Sequence, residues 1–362
     1  MSLIEIKKVE SKKDLKTFID FHYDLYEGNE YDVPNLFSDE MNTLSKDKNA
    51  AFEFCEAEYY LAYKDGKLAG RVAAIINHKA NNKWGKKSVR FGWIDFIDDR
   101  EVSKALLDAV EKYGKEKGME DMVGPLGFTD MDPEGMLTWG FDQLGTMPTI
   151  YNYPYYPEHI EALEGFEVDN KYVEFKIMVP DTIPEKYAKI AMMIEKRYNL
   201  HVRKLTKKEV FQGGMGQKIF DLINDTYKDL YGYSELSQKQ IDQLIKSYLS
   251  FLDFNLITCI EDWTGGEHKL IGVGITMPSL AHALRKCRRG RLLPFGWFHV
   301  LRAIKQHKTN IVDLLLIGIL PEYRAKGANA LLFADLIPWY QKYGIEWGET
   351  QVELETNAGV QG

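Results

Sequence analysis

The 362-residue chain predicts an α/β protein made of two mixed-sheet domains in tandem. Two observations lead there. One order of elements, strand–helix–hairpin–strand–helix–strand, is legible twice along the chain, and a mixed sheet with helices on both faces satisfies that order. In the second copy the stretch Ile317–Phe333, IGILPEYRAKGANALLF, runs from an apolar strand through a proline and a short basic loop into an apolar helix. A loop of that composition leaves backbone N–H groups unpaired, and the helix adds the positive end of its dipole. Together they make an anion site of the kind that holds a diphosphate.

In the first copy, Ile4–Val9 reads as a strand, and Leu15, Phe18, Ile19 and Leu25 recur at helical spacing. Tyr59–Lys64 and Leu68–Asn77 form a hairpin across Asp65-Gly66-Lys67, and Ser88–Asp95 is the next strand. Glu101–Lys117 is a helix with Ala105, Leu106, Ala109 and Tyr113 on one face and Gly118 as its stop. A strand at Asp121–Gly124, a short helix within Asn152–Glu164 and a closing strand Tyr172–Val179 complete the copy. Pro180–Pro184 reads as the linker, so the domains are expected at 1–182 and 183–362. In the second copy His201–Leu205 is a strand, and Gly216–Tyr231 and Ser237–Leu252 are helices. Leu256–Glu261 and Leu270–Met277 form the second hairpin, and Ile311–Leu320 is the central strand. Ala330–Tyr343 is the following helix and Glu349–Glu355 the last strand.

Two other phosphate loops are excluded. A Walker A loop needs Lys and then Ser or Thr after its last glycine, where this chain has Ala328 and Asn329 after Gly327; a dinucleotide fingerprint needs three spaced glycines. The segment resembles the acetyl-CoA loop of the GCN5-related N-acetyltransferase (GNAT) superfamily: Arg or Gln, two residues, Gly, one residue, then Gly or Ala, directly after a central strand. Arg324 matches the opening residue and Gly327 the glycine. Asn329 departs from the pattern, with Ala330 one place later. The element order extends the resemblance over nearly the whole chain, as two tandem GNAT-like domains. The segments GPLG, WGFD and YNYPYYP within Gly124–Pro157 are similar to those of uncharacterised bacterial tandem proteins of this kind.

The resemblance implies a site for acetyl-CoA or another acyl-CoA in the second domain. Its phosphates would meet Arg324, Lys326, Gly327, Ala328, Asn329 and Ala330, and its thioester carbonyl the backbone of Ile317, Gly318 and Ile319. Glycine inside a strand permits close approach, which fits Gly318. Asn357 matches a strand-end polar contact to the cofactor; beyond it the second domain is expected either to be truncated or to continue in a tail beyond Gly362, and the usual tyrosine acid would lie in that missing part. Glu355 and Asp313 are the expected catalytic carboxylates, and Glu353 is a further acid near them in sequence. In the first domain the matching loop carries Asp98 and Asp99 and no glycine, so negative charge replaces a phosphate site. The acid- and tyrosine-rich stretches give Asp130, Glu134, Tyr151 and Tyr155 as contacts for a small amine or amino-acid-like acceptor.

A net charge of −8 argues against nucleic acid as partner, and three widely separated cysteines fit a reducing cytoplasm. Leu280–Lys308 is an outlier: it holds Arg285, Lys286, Arg288, Arg289, Arg291, Arg302, Lys305 and Lys308, no acid, and an apolar side with Leu293, Phe295 and Trp297. It reads as a dock for anionic lipid, a binder of an acidic or acyl substrate through Arg285, Arg288, Arg289 and Arg291, or a solvated helix pair. The expected activity is acyl-CoA-dependent N-acyl transfer. A non-catalytic CoA-binding module and Fem-type aminoacyl transfer are the alternatives.

Overall fold

The computed structural model describes residues 3–183 and 185–356. The first copy runs β1 (Ile4–Lys8), α1 (Lys12–Leu25), α2 (Phe37–Thr43), β2 (Cys55–Lys64), β3 (Lys67–Asn77), α3 (His78–Trp84), β4 (Ser88–Phe96), α4 (Arg100–Glu116), β5 (Asp121–Val123) and α5 (Tyr155–Glu161). Next come β6 (Tyr172–Val173), β7 (Lys176–Met178), α6 (Glu185–Tyr198), β8 (Leu200–Arg203), α7 (Lys207–Phe211), α8 (Met215–Tyr227) and α9 (Gln238–Leu244). The chain continues through β9 (Ile257–Asp262), β10 (Lys269–Pro278), α10 (Ala281–Leu284), α11 (Gly296–Gln306), β11 (Ile311–Ile319), α12 (Pro321–Arg324), α13 (Asn329–Tyr343), β12 (Trp347–Thr350) and β13 (Glu353–Leu354).

These elements make two compact units that interleave in sequence. Unit 1 holds Met1–Val173, Ala281–His299 and Val352–Gly362; unit 2 holds Glu174–Leu280 and Val300–Gln351. The expected closing strand Tyr172–Val179 is therefore two strands. β6 pairs with β13 in a small ribbon, whereas β7 joins the edge of the unit 2 sheet against β12. The expected strand Glu349–Glu355 is divided in the same way, between β12 and β13. Helix α6, which the sequence reading does not assign, follows the proline stretch directly.

Unit 1 has the sheet order β1-β2-β3-β4-β5, antiparallel except for β4 and β5. Strand β3 is buried on both faces, and its two-residue period separates two cores. Val72, Ala74 and Ile76 pack with Val102, Leu106 and Val110 of α4, whereas Ala73 and Ile75 pack with Phe18 and Ile19 of α1. The basic insert is docked on α1 and α2. Arg289 ion-pairs with Asp24 and, at 3.1 Å, with Asp20. Arg291 reaches Asp20 at 3.1 Å and lies 4.1 Å from the centre of the Phe37 ring. Two of the four arginines expected to meet an external acid are thus engaged by the protein's own carboxylates.

Unit 2 has the order β7-β12-β11-β10-β9-β8, with β11 and β12 parallel. Leu331, Leu332, Leu336 and Tyr340 recur along α13 at helical spacing and are buried. On the opposite face α8 lies close to β11, and glycine makes that possible: a Cβ on Gly318 would come within 2.7 Å of Thr226 Oγ1 and 3.1 Å of Ile223 Cδ1. The missing side chain at Gly318 serves helix packing, which replaces the ligand-approach expectation. Among the described residues no helix is long and apolar enough to cross a membrane.

Gly318→Ala is expected to lower stability by about 1–3 kcal/mol through overpacking. Thr226→Ala in the same chain should recover part of that loss, because the two sites touch. Urea unfolding of the single and double variants measures both effects; additive losses would show that the two residues do not meet.

Candidate functional site

In unit 2, β11 and β12 pair over Ile311–Leu314 and Trp347–Thr350 and then part. Beyond Leu314, among the described residues, β11 pairs with β10 alone, so its other edge opens. Backbone groups at such an opening need partners. Tyr227, at the end of α8, supplies them for Ile317: its hydroxyl donates to the Ile317 carbonyl at 3.0 Å and accepts from the Ile317 N–H at 3.4 Å. The amide expected to polarise a thioester carbonyl is thus held by a tyrosine.

The loop after β11 begins with the single turn α12. Gly327 then turns the chain at φ +75°, a left-handed conformation that favours glycine, and α13 starts at Asn329. Several of the expected outward amides are used locally. The Lys326 N–H bonds the Tyr323 carbonyl, Gly327 bonds Arg324, and Ala330 bonds Gly327 and the Asn329 side chain. Among the described residues, the N–H groups of Ala328 and Asn329 have no recorded bond, and no side chain caps α13. The Arg324 guanidinium is anchored by the Ile319 carbonyl at 3.0 Å and the Thr226 carbonyl at 3.3 Å. Lys326 lies over the Tyr323 ring at 4.2 Å. What remains for an anion is a narrower site than the sequence reading expects: two amides, the α13 dipole and the outer N–H groups of Arg324.

The two expected catalytic carboxylates belong to different units. Asp313 is buried on β11; burial pushes its pKa up to about 7, the Ser279 hydroxyl offsets part of this, and Glu349 adds to it. Asp313 lies four residues before Ile317, about 13 Å along a strand at roughly 3.3 Å per residue. That is beyond direct proton transfer from an amine at Ile317. Glu355 is exposed after β13, in unit 1, so the two carboxylates do not form one cluster within a unit. Asn357 lies outside the described residues.

Unit 1 also has an opening where β4 parts from β5, and it is filled differently. Tyr155 donates to the Phe96 carbonyl at 2.7 Å, and the Phe96 N–H donates to the Tyr156 hydroxyl at 3.2 Å. The start of α4 is capped by Asp99, which accepts from the N–H groups of Glu101 and Val102 and pairs with Lys64. Asp99 thereby occupies the position at the start of α4 with its own carboxylate.

Beside this opening lies a cavity lined by His22, Asp32, Arg71, Trp93, Asp95 and Tyr156, among others. Its centre is a buried charge network. Arg71 grips Asp95 through Nη2 at 2.7 Å and Nε at 2.8 Å. His22 stands between Asp95, 3.1 Å from Nδ1, and Asp32, 3.4 Å from Nε2. The Tyr156 hydroxyl donates to Asp95 at 3.0 Å and accepts from Tyr26 at 3.0 Å. Burial opposes charge on His22, but Asp32 and Asp95 outweigh it and push its pKa up to about 10. For Asp95, burial is outweighed by Arg71 and His22, which bring it down to about 2. His22 is therefore an imidazolium at neutral pH, a donor rather than a base.

The expected acceptor residues distribute around this cavity. Tyr151 lines it, with its hydroxyl donating to the Phe141 carbonyl at 2.9 Å. Tyr155 is tied to Phe96, as described. Glu134 and Asp130 lie outside the lining, although Pro133, Gly135 and Met136 belong to it. Burial and the nearby Asp130 push Glu134 up to about 8, with Arg90 opposing. The sequence reading misses the central network. Its signal is an Arg and an Asp inside apolar strands, at Arg71 in LAGRVAAII and Asp95 in VRFGWIDF, since buried charges require partners.

With this geometry in view, the comparisons with known proteins are informative. No protein-family model matches the chain. A tandem GNAT protein from the clavulanic acid biosynthesis pathway superposes with a TM-score of 0.52 at 12% identity, over 98% of this chain and 91% of that one. A GCN5-related N-acetyltransferase from Sphaerobacter thermophilus gives 0.50 at 9% identity, over 98% and 88%. The chain therefore has a tandem GNAT-like fold. Among curated proteins, protein YghO of Escherichia coli (strain K12) is 25% identical over 355 residues, 97% of this chain and 88% of its own. The bacterial ceramide synthase of Caulobacter vibrioides (strain NA1000 / CB15N) is 25% identical over 333 residues, 91% of this chain and 84% of its own.

The buried network sets a pH dependence. A raised His22 pKa contributes stability that is full below about 6.5 and is lost as pH rises through about 10. The lowered Asp95 value contributes stability above about 3.8 that is lost as pH falls through about 2. His22→Gln should cost roughly 3–5 kcal/mol near pH 6, because it removes the cation between Asp32 and Asp95 and leaves Arg71 on Asp95 alone. It should also flatten the alkaline decline. Urea midpoints across pH measure this; an unchanged alkaline slope in the variant would refute the assignment.

Proposed function

We propose that the protein is an acyl-CoA-dependent N-acyltransferase, with its donor site at the β11–α13 junction of unit 2 and a long-chain amine as acceptor. The observation that carries the donor site is the left-handed turn at Gly327, which presents the uncapped start of α13 directly after the strand that opens at Ile317. The GNAT-like fold supports acyl transfer as the reaction class. A ceramide is an N-acylated amino-alcohol lipid, so the relative named as a ceramide synthase supports a fatty acyl donor and a lipid amine.

In this reading the amides of Ala328 and Asn329 and the Arg324 guanidinium hold the diphosphate. The Ile317 N–H polarises the thioester carbonyl once Tyr227 yields it. The neutral amine attacks that carbonyl, the C–S bond breaks, the thiolate takes a proton from the displaced Tyr227 hydroxyl, and the proton lost by the amine nitrogen restores that hydroxyl. The buried network of unit 1 is a scaffold for its cavity, whose charged lining has one carboxylate in excess: Asp32, Glu40 and Asp95 against His22 and Arg71. That balance favours a cationic guest such as an ammonium headgroup.

The closed loop amides and the tyrosine at Ile317 favour one second reading, a CoA-binding module without turnover. A thiol-release assay with acyl-CoA donors of increasing chain length, against sphinganine and against small amines, separates the two. Release that depends on a long-chain amine is expected; CoA binding without release would favour the module.

For the donor site, Arg324→Ala should weaken CoA by about tenfold or more in calorimetry, since one charge-assisted contact is worth roughly 1.5–3 kcal/mol. Tyr227→Phe should tighten binding by freeing the Ile317 amide, while slowing thiol release. Failure of the unmodified protein to bind CoA would remove the donor assignment.

A further inference from the structure

In unit 1 the basic insert carries an apolar ridge that the acyl-transfer reading does not use. Leu293 is 77% exposed and Phe295 74%, and Trp297 beside them is exposed as well. The ridge is held in shape from behind. The Trp297 indole donates to the Pro294 carbonyl at 3.0 Å, and its backbone N–H bonds the Leu292 carbonyl at 2.8 Å. The ion pairs of Arg289 and Arg291 with Asp20 fasten the same segment to α1.

The insert folds back on itself at the base of the ridge. A Cβ on Gly296 would come within 2.9 Å of Cys287 Sγ, so these two positions touch. Lys286 and Arg288 flank Cys287 in the chain, and Phe295 and Trp297 flank Gly296. All four are exposed residues. The expected basic surface is therefore redrawn: Arg289 and Arg291 anchor the insert to α1, and Lys286 and Arg288 are exposed on the segment that meets the base of the ridge.

We propose that this ridge docks unit 1 onto an anionic lipid surface. Contiguous exposed aromatic and leucine side chains mark a surface that another phase covers. Exposed Leu, Phe and Trp side chains suit burial at the headgroup boundary of a bilayer, and exposed cations of the same segment add attraction to anionic lipids. Charge decides between lipid and protein as the occupant. The segment Leu280–Lys308 contains no acid, although the whole chain carries a net charge of −8. A local excess of cations around an apolar crest matches an anionic bilayer, whereas a two-fold contact between copies would set the same cations against one another.

The test is flotation of the full chain with phosphatidylglycerol–phosphatidylcholine vesicles and with pure phosphatidylcholine vesicles, at low and high salt, with no acyl-CoA present. Binding to the anionic vesicles that weakens in high salt is expected. Lys286→Glu with Arg288→Glu should lower that binding by about tenfold or more, as should Leu293→Ser with Phe295→Ser. Thermal melts check that each variant folds, and the charge variant suffices should the apolar one unfold. Equal binding to neutral vesicles, or unchanged binding by the folded variants, overturns the proposal. So does a concentration-dependent dimer lost on Phe295→Ser together with no vesicle binding, which would assign the ridge to a second copy. Thiol release with a soluble short-chain amine and donor is read separately, so failure at the vesicle leaves the acyl-transfer assignment standing.

Discussion

Wherever two parallel strands part, the backbone groups along the opening lose their sheet partners and must be satisfied by something else. Both units of this protein face that demand, at Phe96 and at Ile317, and both meet it with tyrosine hydroxyls. A hydroxyl both donates and accepts, so one tyrosine at the Ile317 position serves an N–H and a C=O together. In unit 1 the solution is deeply embedded. Tyr156 also bonds Asp95 and Tyr26, stacks on Phe96 at 4.2 Å, and is buried. In unit 2 Tyr227, at the end of a helix, bonds both backbone groups of Ile317 and packs edge-on against Tyr233.

The same contrast governs the helices that follow. Asp99 closes the start of α4 with its own carboxylate, and Lys64 neutralises that carboxylate in turn. Ala328 has no side-chain acceptor to offer α13. The start of α4 is thus capped by its own chain, whereas the N-cap residue of α13 supplies no side-chain acceptor. Shared architecture with different termini is a physical basis for divided labour in a tandem fold.

Charge is distributed by the same logic. Buried ions in unit 1 occur as a connected set, because an isolated buried charge would be prohibitive. Of the insert's cations, Arg289 and Arg291 face acids on α1, Arg285 reaches the Asn29 carbonyl, and Lys286 and Arg288 are exposed. A count of basic residues is blind to that division, which changes the segment from a diffuse cationic patch into an anchored apolar crest.

Much of the fold was legible in the sequence because periodicity and turn chemistry are local. The hairpin across Asp65-Gly66, the α4 face, and the passage from β11 through Gly327 to α13 follow from residue spacing alone. What tertiary structure decided is everything that depends on which segment arrives next to which. Tyr172–Val179 carries strand propensity throughout, yet it is divided because β6 and β7 find different partners. Gly318 looks like room for a ligand until α8 is seen to fill that room. Arg324 and Arg289 look equally available as cations until carbonyls and carboxylates from distant residues engage them. The buried set of His22, Asp32, Arg71 and Asp95 joins residues up to 73 positions apart, His22 to Asp95. No local pattern links such residues, and their meeting is set by the packing of α1 on the sheet.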